Sequence, residues 1–140
     1  MPRPSPRGGP EIECFWGLAV YILRAAPGGK IRYVGLTSGP RGRWICHVST
    51  AVSAARKGGP LTAMQQWILD LHARGRRPTL EVVERLPLSV EVRRGPVRER
   101  WTKGKRIARH RGRAAEREWI RRLAREGHPL FNVQHARASR

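Results

Sequence analysis

Two short runs, Gly17 to Leu23 and Lys30 to Leu36, lie on either side of Pro27-Gly28-Gly29. Both are rich in Val, Ile, Leu and Tyr, which suit a half-buried pleated surface, and Pro-Gly-Gly is turn chemistry. This part of the chain is therefore expected to form a β-hairpin with a somewhat long turn. The first run extends back through Cys14-Phe15-Trp16 and follows Arg3 and Arg7, the outline of a signal peptide. Glu11 and Glu13 break that outline, and the run is too short to span a bilayer. The expectation is a protein without a membrane segment, at home in the cytoplasm.

Downstream, Ser38-Gly39-Pro40 opens a helix to about Lys57, with Trp44, Val48, Val52 and Ala55 spaced for one apolar face. A second helix is expected from about Leu61 to Ala73. There Met64, Trp67, Ile68 and Leu71 fall at i, i+3, i+4 and i+7, a core stripe that Gly75 terminates. The β-branched centre of the segment after Pro78 predicts a third strand over about Thr79 to Leu86. A last helix is expected from about Arg113 to Glu126, followed by Leu130-Phe131-Asn132-Val133. Residues 1–14 read as a flexible basic leader, 15–134 as one folded domain and 135–140 as a flexible tail. With 140 residues and 39% apolar content, one modest core is the limit.

Lys and Arg total 29 against 10 Asp and Glu, a formal charge of +19. Of the basic residues, 25 are arginine, whose planar fork grips phosphate oxygens two at a time. Nucleic acid is thus a better expectation than a membrane surface. The charge concentrates at 93–113, where Arg93, Arg94, Arg98, Arg100, Lys103, Lys105, Arg106, Arg109, Arg111 and Arg113 face one acid, Glu99. Such a stretch is either a solvated basic loop or helix, or one that tracks a phosphate backbone. With one aspartate and nine glutamates, a cluster of three or four acids around two metals is not expected. Cys14 and Cys46 stand 32 residues apart, which excludes a Cys-x-x-Cys zinc site and suits a reducing compartment.

Few residues remain that can carry chemistry. Arg43 and His47, four apart on the first helix, project from the same side and could meet one phosphate, or be an ordinary surface Arg with a partly buried His. Glu116 heads the face of Trp119, Ile120 and Leu123, either as a metal ligand at the core edge or as a first-turn acid favouring the helix dipole. Tyr21 and Tyr33 sit on consecutive strands and can bring their hydroxyls to one sheet face, for packing or as a general base.

As a set these residues resemble the GIY-YIG nucleases. Ala19-Val20-Tyr21 stands where the first tripeptide belongs, Tyr33-Val34-Gly35 where the second does, and Arg43-x-x-x-His47 follows. Glu116-x-x-Trp119-Ile120 fits the family's acidic metal-ligand helix, and Asn132 its terminal Asn. The resemblance covers about Gly17 to Val133. Ala19-Val20 replaces Gly-Ile, Leu36 follows the second Gly where some relatives carry a polar or basic residue, and residues 91–112 look like a basic insertion before the Glu helix.

The resemblance implies an α/β fold with a small three-stranded antiparallel sheet flanked by helices. It implies phosphodiester hydrolysis with one Mg²⁺, or Mn²⁺, held by Glu116 plus waters and phosphate oxygens, and no organic cofactor. Tyr21 or Tyr33 would deprotonate the attacking water with His47 assisting, Arg43 would stabilise charge on the phosphate, and Asn132 would position groups by hydrogen bonding. The substrate would be duplex or branched DNA, cut by a monomer or homodimer of homing, mobile-element or repair type. The rival expectation is a non-catalytic basic nucleic-acid-binding protein on the same scaffold.

Overall fold

The computed structural model describes residues 17–87 and 97–133. Its elements run β1 (Gly17–Arg24), β2 (Ile31–Thr37), α1 (Pro40–Lys57), α2 (Ala63–Ala73), β3 (Thr79–Pro87) and α3 (Val97–Arg125). The chain is α/β, with an antiparallel sheet of order β2-β1-β3 and helices on both faces. The expected hairpin is β1 and β2, and β3 returns along the other side of β1. The leader and tail expected at 1–14 and 135–140, together with Arg93 and Arg94, lie outside the described residues. No helix among the described residues is long and apolar enough to cross a membrane.

Side chains of a strand alternate between the two faces of its sheet, and here each face has its own core. Val20, Ile22 and Val34 pack with Leu123, Trp119 and Ile120 of α3 and with Leu130. Tyr21 and Leu23 turn the other way, to Leu80, Trp44 of α1 and Trp67 of α2. The β1–β2 pairing jumps from Leu23 opposite Tyr33 to Arg24 opposite Ile31, which leaves Arg32 unpaired in a bulge.

On α1, Pro40 occupies the first turn, where its missing N–H is no loss, and Gly58 closes the helix in the left-handed conformation. The face it buries differs from the expected one. Pro40, His47 and Ala51 point inward, whereas Trp44, Val48 and Val52 are half-buried and Ala55 is exposed. Two hydrogen bonds set this rotation. Trp44 Nε1 donates to the Pro78 carbonyl at 2.7 Å, and His47 reaches the Tyr21 hydroxyl. On α2 the expected stripe holds, with Ile68 and Leu71 buried. The helix starts two residues later than expected because Thr62 and Gln65 form a capping box, Thr62 Oγ1 accepting from Gln65 N and Gln65 Oε1 from Thr62 N.

The greater departure is α3. The basic stretch after 97 forms the N-terminal half of the Glu helix, in one continuous helix of 29 residues. Ala108 and Gly112 are buried, and a Cβ at Gly112 would press on Leu36 and Leu18. Small residues let the helix lie close to the sheet at this point, and proline is absent throughout.

Beyond α3 the chain runs along the outer edge of β2, where backbone groups have no neighbouring strand to pair with. His128 Nδ1 accepts from Ile31 N at 3.0 Å. Asn132 makes a ring with Val34, its Oδ1 accepting from Val34 N and its Nδ2 donating to Val34 O, both at 2.9 Å. Asn132 thus braces β2 next to Tyr33. Asn132→Ala removes both bonds at once and is expected to lower stability by about 1–3 kcal/mol, read from urea unfolding.

Candidate active site

The site begins with a close approach between two strands. Tyr21 stands opposite Gly35, and any Cβ at position 35 would overlap the end of the Tyr21 ring. Glycine is required there for space, not for its φ. Tyr33 lies one diagonal step away, its ring centroid 6.1 Å from that of Tyr21 on the same sheet face. The two phenols therefore share a face as expected.

Helix α1 supplies the next two groups. His47 is buried, its ring 5.9 Å from Tyr21 and 5.4 Å edge-on from Tyr33. Its Nε2 lies 2.7 Å from the Tyr21 hydroxyl, and Arg43 Nε donates to the same oxygen at 3.3 Å. A guanidinium only donates, so the phenol accepts from Arg43, while its bond with His47 follows the imidazole tautomer: the phenol donates where Nε2 carries no proton. That donation needs a neutral imidazole. Burial first, and then the charge of Arg43, push His47 down to about 4. Burial also drives the Tyr21 phenol well above its ordinary value, with Tyr33 adding to the rise and Arg43 opposing it. The hydrogen bond to Tyr21 holds Arg43 more firmly protonated than usual. Burial thus favours a neutral phenol beside a neutral imidazole, with a cation against them. Helix α1 also has no side-chain cap and no acid in its first turn, so its positive end adds to Arg43 in attracting an anion.

Glu116 comes from α3 and is half-buried. Burial raises its carboxyl, Arg113 and Arg117 hold it down, and its charge raises Tyr21 in turn. No group of three or more His, Cys, Asp or Glu able to hold a metal exists among the described residues. A lone carboxylate does fit one kind of ion. Mg²⁺ keeps several waters and is often bound through one or two carboxylates plus substrate phosphates.

A cavity of about 300 Å³ opens beside this cluster, lined by Tyr33, Arg43, His47, Thr50, Gln65 and Phe131 among others. None of the polar wall residues after His47 stands out in the sequence as a site residue. The capping pattern Thr62-x-x-Gln65 is the one legible signal for that wall. Of the basic residues expected to grip nucleic acid, Arg106, Arg109, Arg111 and Arg113 are exposed on α3, while Arg98, Arg100, Lys103 and Lys105 belong to its N-terminal turns.

Gly35→Ala is expected to displace Tyr21 and cost about 1–3 kcal/mol in urea unfolding, because the clash is with a fully buried ring. The site also makes stability depend on pH. His47 binds its proton less readily folded than unfolded, so its contribution to stability is complete above about 6.5 and is lost as pH falls towards about 4. The wild type should lose more stability over that interval than His47→Asn, and equal slopes would show that His47 is not held neutral by the fold.

No family model, curated protein or solved structure matches this chain.

Proposed function

We propose that this chain is a metal-dependent DNA endonuclease of the GIY-YIG type. The observation that carries the reading is the Tyr21 oxygen held between His47 Nε2 and Arg43 Nε, at 2.7 and 3.3 Å. A phenol with a neutral base behind it and a guanidinium in front suits in-line attack on a phosphodiester. The basic outer face of α3 supports an anionic polymer as substrate, as does a cavity wall that holds no acid among the described residues.

In this mechanism Arg43 moves from the Tyr21 oxygen onto a phosphate oxygen, which frees a phenol lone pair for a water. As that water attacks phosphorus, its proton passes to Tyr21 while the Tyr21 proton passes to His47 Nε2. The bond to the leaving oxygen breaks, and solvent protonates that oxygen. Arg43 stabilises the added charge on the phosphoryl oxygens. Negative charge arriving on the phosphate favours the imidazolium, so the relay is weak without substrate and strengthens with it. Glu116 would hold a divalent cation together with phosphate oxygens. Bound there, the ion supplies Lewis-acid stabilisation and a water of lowered pKa. Tyr33 packs against His47 and keeps its ring in line with Tyr21.

Nicking of supercoiled plasmid in Mg²⁺ or Mn²⁺ tests the reading. The wild type should nick, whereas Glu116→Gln and Arg43→Ala should each lose at least about 100-fold in rate, and Glu116→Gln should still shift DNA in a gel. Binding without cleavage by the wild type would instead favour a basic nucleic-acid-binding protein. The grip of α3 on DNA has its own measure. Replacing Arg106, Arg109, Arg113 and Arg117 by Gln should flatten the plot of log K against log salt by about 0.9 for each phosphate that the helix no longer neutralises.

A further inference from the structure

We propose that the cavity between α1, α2 and Phe131 receives one unpaired nucleobase of the strand being cut, so that distorted or branched DNA is preferred over regular duplex. The proposal rests on the nuclease reading and adds to it a substrate class.

Tyr33, Arg43 and His47 line the cavity together with Cys46, Thr50, Thr62, Met64, Gln65 and Phe131. A strand whose phosphate lies on Arg43 has its neighbouring base within reach of this space. At about 300 Å³ the cavity suits one base and its sugar, and it has no room for a stacked base pair. Occupancy therefore requires a nucleotide already turned out of the stack, which is least costly where the base is unpaired.

The cavity wall is built for such a guest. Phe131 is buried, with the Arg32 guanidinium 4.3 Å over its ring and the Trp67 ring 5.6 Å away. The bulge in β2 is what places Arg32 there. Met64 lines the same cavity, and its flexible thioether adapts to planar rings of different outline. The polar groups are also set. The capping box ties Gln65 Oε1 to Thr62 N, so the amide hydrogens of Gln65 remain for a ligand's acceptors. Hydroxyls of Thr50 and Thr62 rotate and can donate to a base carbonyl or ring nitrogen. Among the described residues, no carboxylate lines the space to repel the attached phosphates.

The test uses the full chain and three DNA duplexes of one sequence. One carries a single unpaired adenine, one an abasic residue at the same place, and one is fully paired. Binding is measured without divalent cation, and Cys46 on the cavity wall is probed with a maleimide, its peptide separated from that of Cys14 by mass spectrometry. The unpaired adenine should bind about tenfold tighter than either control and shield Cys46. Met64→Trp, which fills the cavity, should bring the ratio of adenine to abasic affinity close to one. Equal wild-type affinities for adenine and abasic duplexes, with Cys46 equally reactive in both, would overturn the proposal whatever the variant does. Failure of the nuclease reading shows separately. If none of the three duplexes is cut in Mg²⁺ or Mn²⁺ while the adenine preference persists, the pocket stands and the catalytic reading falls.

Discussion

The hydrogen bond between the Tyr21 hydroxyl and His47 Nε2 organises most of what surrounds it. It joins the central strand to α1 across the sheet face and sets which side of α1 turns inward. It works only because Gly35 leaves room for the phenol, and burial favours a neutral imidazole in it. Burial, the force that builds the core, also keeps both groups of the pair uncharged. On the proposed reading, one tightly packed contact serves folding and chemistry together, with Arg43 at its exposed side.

The surface follows opposite physics. Most arginines of α3 stand in water, where like charges repel. They are tolerated because the inner side of the same helix is fixed by Leu123, Ile120 and Trp119, whose indole also donates to Glu84 at 3.2 Å. Among the described residues of this chain of net charge +19, most of the charge lies outside, where a polyanion can neutralise it.

Much of this is legible in the sequence, and the exceptions have physical causes. The hairpin, both middle helices and β3 announce themselves through turn residues and periodicity, and their observed bounds fall within about two residues of expectation. The rotation of α1 does not, because Val48, Val52 and Ala55 make a plausible stripe and a histidine counts as polar until its partner is known. The start of α3 is hidden as well. Ala108 and Gly112 bury little apolar surface and give no hydrophobic signal, yet they are where the helix meets the sheet. At the site, Tyr21, Tyr33, Arg43 and His47 converge as their order suggests. The clasp of Asn132 on Val34 spans 98 residues of sequence, and no local pattern encodes it. The cavity wall escapes a sequence reading for the same reason, since it joins α1, α2 and the segment after α3.

The continuity of α3 carries a consequence of its own. A helix rises about 1.5 Å per residue and resists both stretch and twist, so Arg106 and Glu116 stand about 15 Å apart along one stiff rod. On the proposed reading, the place where the basic face grips a strand and the place where that strand is cut are separated by a fixed length. The helix is then a ruler, and adding or removing a residue between its two ends would swing the grip about 100° around the axis relative to the carboxylate.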